Sequence, residues 1–416
     1  MEPPELIAHL SAALGPRPPA RLGVAVSGGG DSVGLLCALD AWAQDQPTEL
    51  SVISIDHGLR PAARDELRFV RDLCARLGVD HHIEYWSNWD GAGNLQSAAR
   101  AARFALIADW AAGNEIDHVA LGHTANDQAE TLLMRLARGS GVDGLSGMAP
   151  QRRQNGVTWL RPLLGVLRRD LRAFLRARGE TWSEDPSNED TAFERVRMRD
   201  AMPLLEPLGL TAEGLAQVAA NMQMARAALD VQTHAAGREI AVVDVGAVRV
   251  SYPGFAALPA EIARRLVVRA IMWLGGHVYS PRRASVDTLL AAIAEGRTST
   301  LEGVQVQRSG GELWLYREYE AVRDLTAAAD EAWDERWSLS DIADEDTPFE
   351  LRALGPDGLQ ASPGWRDLGV PRAALLSVPG LWDGDRLVAS PLSPSPDVQA
   401  EFDDAPDSFY AALLSH

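Results

Sequence analysis

The sequence predicts an α/β protein: a parallel, doubly wound sheet, then a mainly helical domain and a small, mostly β C-terminal appendage. Three observations carry that expectation. Short β-branched runs alternate with Ala- and Leu-rich helical stretches through residues 22–138, the pattern of crossover units in a sheet covered on both faces. Three glycines, Gly28 to Gly30, stand between the first strand and the first helix. The 416 residues are 46% hydrophobic and 23% charged, an ordinary globular mixture with room for about two to four domains.

Residues 22–27 read as a buried strand and 31–43 as the helix after the glycines. Residues 50–56 form a second strand, 62–77 a helix with apolar residues at helical spacing, and 79–85 a third strand. An Ala-rich helix over 96–112, a short strand over 117–122 and a helix over 127–138 follow. Pro203, Pro207 and Gly209 mark a boundary, so the first domain is expected to span 1–205. A second domain, 206–330, holds helices over 212–235, 259–274 and 284–296, and a strand-like alternation over 240–251. It ends in a hairpin of 304–307 with 313–316 around Gly310 and Gly311. Residues 331–416, rich in Pro, Asp and Gly, form a small acidic appendage. No internal repeat is visible.

Composition excludes several chemistries. No stretch approaches 18 uninterrupted apolar residues, so no transmembrane helix is expected. The Met1 to Glu5 start lacks the basic and apolar regions of a secretory signal. Cys37 and Cys74 are the only cysteines, no disulfide framework, and a cytoplasmic location is expected. The 39 basic side chains are all arginine. A Walker-type loop and Schiff-base chemistry both need a lysine, so both are excluded. The net charge of −19 is uneven: residues 331–416 carry −12, and residues 151–178 carry +7. Screening in salt lets an acidic protein bind RNA on one basic face. The arginines at 152, 153, 161, 168, 169, 172, 176 and 178 form that candidate face, with a solvated helix side as the plain alternative.

The strongest motif is Ser27-Gly28-Gly29-Gly30-Asp31-Ser32 at the strand–helix junction. Glycines let the backbone turn and approach a ligand closely, and the helix start favours an anion. Ser27 and Ser32 add hydroxyl donors. Asp31 is the odd member, since a carboxylate repels phosphate; it fits as an N-cap or as a magnesium contact beside the phosphates. The motif resembles the pyrophosphate (PP) loop of the N-type ATP pyrophosphatases, which split ATP to AMP and pyrophosphate and need no loop lysine.

Further motifs narrow the choice. They are Ile55 to Arg60 (with Asp56, His57 and Leu59), Ala98 to Phe104, Leu121 to Thr131, Arg138 to Gly141 with Gly144-Leu145, Arg161 to Leu164, Glu184-Asp185-Pro186-Ser187-Asn188, and Arg195, Arg197 and Arg199 before Pro203. In this order and spacing the set resembles the tRNA(Ile)-lysidine synthetase family, densely over about residues 20–206. The resemblance implies a reaction. ATP adenylates the C2 oxygen of the wobble cytidine in a CAU-anticodon isoleucine tRNA. The ε-amine of free lysine then displaces AMP, giving lysidine and changing decoding from AUG to AUA.

The resemblance also implies roles for residues. Ser27 to Ser32, Asp56, His57 and Arg100 would hold ATP with Mg2+, the metal reaching the phosphates through Asp31. Asp127 and Glu130, three apart at a helix start and so on one face, would bind the lysine amine, and one of them could help remove its proton. Together with Asp31 they are the expected catalytic residues. Acids that offset a helix dipole are the plain alternative. Arg195 and Arg199 suit the lysine carboxylate or tRNA phosphates. Val196 stands where the family has Asn, Asn126 where Asp is common, and Phe104 where Tyr is common. His57 and His123 have loop roles as alternatives, Arg103 a solvated stripe, and His81 and His82 match no motif. A homodimer stays open. Competing readings are a sulfur-transferring relative, which wants paired thiols; a glutamine amidotransferase, which wants a catalytic Cys; and a non-catalytic RNA binder, which the intact Asp31 and Glu130 oppose.

Overall fold

The structure is a computed structural model describing residues 2–58, 63–86, 95–184, 192–277, 279–340, 349–393, 401–403 and 406–414. It divides into two compact units, Met1–Arg226 and Ala227–His416. The first unit runs α1 (Pro3–Leu14), β1 (Arg21–Ala25), α2 (Gly30–Ala43), β2 (Glu49–Asp56), α3 (Ala63–Leu77), β3 (Asp80–Tyr85), α4 (Leu95–Gly113), β4 (His118–Leu121) and α5 (Ala125–Ala137). It continues through α6 (Val142–Leu145), β5 (Gln151–Gln154), β6 (Val157–Leu160), α7 (Arg168–Ala177), α8 (Glu194–Leu205) and the first part of the long α9 (Ala212–Ile240).

The sheet order is β3-β2-β1-β4-β6-β5. Pairs β1–β2, β2–β3, β1–β4 and β4–β6 are parallel, and β5 adds an antiparallel edge on β6. The expected sheet is therefore mixed at one edge. Strand alternation sorts side chains between two cores, because successive residues point to opposite faces. Leu22, Val24, Leu50, Val52 and Ala120 join Leu36, Leu39 and Leu171 on one face. Ala25, Ile53, Val119, Leu121 and Trp159 join Ile107 and Trp110 of α4 on the other. Strand order reverses direction between β1 and β4, and ligands of open α/β sheets bind in the crevice at the carboxyl ends there. Both the glycine loop and the segment before α5 open onto that crevice.

The sequence placed a boundary at 205, and the structure divides the chain inside α9, after Arg226. Ala212 and Leu215 of α9 pack with Ala129 and Leu132 of α5 and Met202 of α8. Gln223 donates to the Ser146 and Met148 carbonyls, both at 2.9 Å. The start of α9 thus belongs to the first unit.

The second unit has a five-stranded antiparallel sheet, β7 (Ala241–Asp244), β8 (Ala247–Ser251), β9 (Ser299–Leu301), β10 (Val304–Ser309) and β11 (Glu312–Arg317), in the order β7-β8-β11-β10-β9. Helices α10 (Tyr252–Ala257), α11 (Ala260–Gly275) and α12 (Arg283–Ala294) accompany it. The C-terminal part contributes a four-stranded sheet of short strands between Thr326 and Ala389. Its Trp333, Trp337 and Leu351 share a core with Trp314 and Tyr316 of β11. Among the described residues no helix is long and apolar enough to cross a membrane.

Candidate active site

The loop after β1 is closed by its own hydroxyls. Gly28 sits at φ +90°, in the left-handed region that glycine enters without strain. Ser32 Oγ donates to the Gly29 carbonyl at 2.9 Å and accepts the Ser27 N–H at 3.1 Å. The Gly28 carbonyl accepts the Ser183 N–H at 2.9 Å. A Cβ on Gly30 would meet the Trp182 ring at 3.2 Å, and one on Gly122 would lie 2.9 Å from the Asp31 carbonyl oxygen. Glycine at 122 therefore lets the start of α2 seat against the end of β4. The N-cap of α2 is Gly29, without a side-chain cap, so Asp31 is not the cap the sequence allowed for.

Asp31 turns instead toward α7. Its Oδ2 accepts from Arg168 Nε at 2.8 Å. Its Oδ1 is buried and has no hydrogen-bond partner among the described residues. Burial pushes the Asp31 carboxyl above the usual range, and the adjacent Arg168 only partly offsets it. A helix start with free amides beside an unsatisfied carboxylate oxygen fits a phosphate chain carrying a divalent cation.

Asp127 and Glu130 lie on the first turns of α5 and are 7% and 1% exposed. Asp127 Oδ2 caps the helix, accepting the Thr124 N–H at 2.7 Å and the Thr124 hydroxyl at 2.8 Å. Its Oδ1 accepts from Arg195 Nη2 at 2.9 Å and Arg168 Nη2 at 3.2 Å. Glu130 accepts from Arg195 Nε at 2.7 Å and Arg199 Nε at 2.9 Å, with Arg168 Nη1 at 3.6 Å. Burial would raise the Asp127 carboxyl, yet Arg195, Arg168 and the Thr124 N–H together hold it below its ordinary value. Arg195 and Arg199, four apart on α8, share the face that meets α5. Arg197 points away and donates to the Ala192 carbonyl at 2.9 Å. Val196 is buried, an apolar anchor for α8 where the family pattern expects an amide. The structure thus gathers Asp31, Asp127, Glu130, Arg195 and Arg199, and adds Arg168 at their centre.

Arg168 is placed by its own backbone: its N–H donates to Asn126 Oδ1 at 2.9 Å, and the Ala125 N–H to the Val166 carbonyl at 2.9 Å. The basic run is therefore not one surface. Arg168 points inward, and Arg161 is 8% exposed, donating to the Ala149 carbonyl at 2.9 Å. Arg172 and Arg176 lie over Trp182, both at 5.7 Å, and Arg178 pairs with Asp40 at 3.3 Å. Arg153, Arg169, Arg176 and Arg178 are exposed, Arg152 and Arg172 half-buried.

Other expected residues sit around the crevice. Asp56 accepts the Gly58 N–H at 2.8 Å, closing the turn after β2, and His57 meets the Trp86 ring edge-on at 5.9 Å. Arg100 lies over Phe104 at 5.3 Å, and Phe104 packs on Trp159 at 4.6 Å, which brings this face of α4 to the end of β6. Burial, partly opposed by Asp127, pushes His123 down to about 3, so it is neutral. Burial beside Arg100 also lowers Arg103. His81 hydrogen-bonds Ser54 Oγ at 2.9 Å and His82 pairs with Glu84 at 2.9 Å, both on the strand away from the loop. Leu59, Arg60 and Asp185 to Asn188 lie outside the described residues. The two thiols are buried, and burial raises Cys37 to about 12 and Cys74 to about 11, values that suit core residues and oppose thiolate chemistry.

Sequence reasoning missed Arg168 as a site residue, and also Trp182 and Ser183. The helical spacing of Leu171, Phe174 and Leu175 could have marked a buried helix starting at Arg168, but nothing local signals its partners.

Comparison with known proteins gives matches over most of the chain. A family model described as a PP-loop domain matches residues 4–205. A tRNA(Ile)-lysidine synthase of Ruegeria pomeroyi is 47% identical over 413 residues, covering 99% of this chain and 98% of its own. The synthase of a Bradyrhizobium species is 39% identical, covering 67% and 82%. That of Wolbachia pipientis wMel is 32% identical, covering 78% of each.

Proposed function

The chain belongs to the tRNA(Ile)-lysidine synthase family, and from that premise we propose how its own residues divide the work of the reaction. The protein is an ATP-dependent ligase that joins free lysine to C2 of the wobble cytidine in CAU-anticodon isoleucine tRNA. The cytidine C2 oxygen attacks the α-phosphorus of ATP, and the bond to pyrophosphate breaks. The lysine ε-nitrogen, after losing a proton, then attacks C2, and the carbon–oxygen bond to AMP breaks.

Ser27 to Ser32 cradle the leaving pyrophosphate with loop amides and the two serine hydroxyls. Asp31, whose Oδ1 is unsatisfied, would hold Mg2+, and the ion would neutralise phosphate charge. Asp56, His57 and Arg100 line the nucleotide side of the crevice. Asp127 and Glu130 take the lysine ammonium and orient it, while Arg195 and Arg199 set those carboxylates and offer the lysine carboxylate a cation.

The observation that carries this reading is one cluster. Asp31 of the loop reaches Asp127 and Glu130 of α5 through a single guanidinium, at 2.8, 3.2 and 3.6 Å. Adenylation of the C2 oxygen and amine attack on the carbon that bears it must happen in one place, and here the groups proposed for each step meet.

The test is incubation with ATP, magnesium, radiolabelled lysine and the CAU-anticodon isoleucine tRNA, with initiator methionine tRNA as control. Acid-stable label is expected on the isoleucine tRNA alone. Asp31→Ala is expected to abolish ATP use. Asp127→Ala and Glu130→Ala are expected to spare tRNA-dependent pyrophosphate release and impair label transfer. Unchanged lysine incorporation in both carboxylate variants would remove the amine-site assignment.

A further inference from the structure

The cluster is balanced as it stands. Three carboxylates, Asp31, Asp127 and Glu130, face three guanidinium groups, Arg168, Arg195 and Arg199. A lysine ammonium arriving alone meets carboxylates that are already paired. It must break ion pairs and leaves a surplus positive charge in a buried place, which is costly. A triphosphate arriving alone brings negative charge next to Asp31. Arriving together, the two ligands exchange partners with the protein: the phosphates attract Arg168, and the ammonium takes its place on Asp127 and Glu130.

Arg168 is built for such an exchange. It is the first residue of α7, so its side chain can swing without disturbing the helix, whose start is held by Asn126. Its Nε, Nη1 and Nη2 each face a different carboxylate. Among the described residues, the ion pairs of Arg195 and Arg199 are with the α5 acids, and Arg168 alone pairs with both those acids and the loop residue.

We propose that Arg168 is a positioning residue that couples the two substrate sites, closing the lysine site until nucleotide phosphate draws its guanidinium away. The proposal rests on the assignment of the lysine amine to Asp127 and Glu130. Binding of nucleotide and lysine is then positively linked, and linkage is reciprocal: each ligand tightens the other by the same factor.

The test is calorimetric titration of the full chain with lysine, with and without a non-hydrolysable ATP analogue and magnesium, and the reverse titration. In the wild-type protein the analogue is expected to tighten lysine about tenfold or more, and lysine to tighten the analogue equally. Arg168→Met and Arg168→Lys are expected to bind lysine more tightly than wild type without nucleotide, and to bring the linkage factor close to one. Equal lysine affinity with and without the analogue in wild-type protein, including no measurable binding in either, overturns the coupling. Full linkage in a folded Arg168→Lys protein overturns the role of Arg168, because a mere brace would lose stability and keep the ratio. Should Arg168→Met not fold, the wild-type reciprocity and Arg168→Lys still decide. Asp127→Asn and Glu130→Gln separate the two ideas: lysine affinity unchanged in both removes the site assignment itself. Loss of lysine binding there, with no linkage in wild type, leaves the assignment and removes the coupling.

Discussion

Glu130 is among the most buried charges in the molecule, and both its oxygens are held by guanidinium groups from α8. Removing one partner of a buried ion pair strands the others, a loss of about 3–5 kcal/mol. Arg195 and Arg199 keep a third of their side-chain surface in water, so Glu130→Ala should sit near the low end of that range. Glu130→Gln keeps shape and part of the hydrogen bonding. We expect it to fold, to raise the KM for lysine about tenfold or more, and to leave the KM for ATP within about twofold, in steady-state kinetics with saturating tRNA.

His123 carries a prediction about pH. Its folded value of about 3 lies below its ordinary 6.5, because burial disfavours the charged ring. Between those values the unfolded chain binds a proton that the folded chain does not, so stability is full above pH 6.5 and drains as pH falls toward 3. His81 is lowered for the same reason and adds the same sign. Asp31 is raised and has the opposite sign, favouring the fold at lower pH. The melting temperature should fall between pH 7.5 and 5, and His123→Gln should fall less than wild type. Equal slopes would mean that the His123 ring titrates freely.

At this scale the sequence was legible where a residue's placement is written beside it. Asp31 follows three glycines, Asp127 and Glu130 open a helix, and Arg195 and Arg199 share a helical face. Arg168 was not legible, because its partner Asp31 is 137 residues away and only the fold joins them.

Elements were legible where their apolar period is clean. The strands before β4 and their helices start and end within about two residues of the expected limits. The β5–β6 hairpin escaped notice, since β5 offers Gln151, Arg152, Arg153 and Gln154, a polar edge with no period to read. Helix α8 was obscured by Pro203, which sits inside it. The packing that aims Arg168 is equally invisible in sequence. A Cβ on Gly34 of α2 would lie 2.5 Å from Leu171 Cγ of α7. Gly34→Ala should therefore push α7 outward and cost about 1–3 kcal/mol by overpacking. Leu171→Ala alone should cost about 2–5 kcal/mol through its cavity. The three atoms nearest that Cβ all belong to the Leu171 side chain, so the double variant should lose at least about 1 kcal/mol less than the sum. Urea unfolding of the four proteins measures the cycle. Gly34→Ala should also tighten lysine binding in the absence of nucleotide, by moving the helix whose Arg168 pairs with Asp127 and Glu130. Additive losses would mean that α2 and α7 do not press on each other here.

The whole chain has one chemical property that no single site shows. All 39 of its basic side chains are arginine, and its substrate is the amino acid it lacks. Every permanently cationic side chain is then a guanidinium, which stays charged at any working pH. Amine-directed acylation can reach only the α-amine of the chain. Treatment with an acetylating N-hydroxysuccinimide ester, followed by its removal, should leave lysine transfer within about twofold of the untreated rate. The same treatment commonly damages proteins that hold phosphates through lysine. Phenylglyoxal, which modifies guanidinium groups, should abolish activity. ATP analogue and lysine added together should slow that inactivation more than either alone, because the cluster at Arg168, Arg195 and Arg199 is shielded only when both halves are filled. Protection by lysine alone equal to that by the pair would show that the arginines around Asp127 and Glu130 yield to the amine without help from the nucleotide.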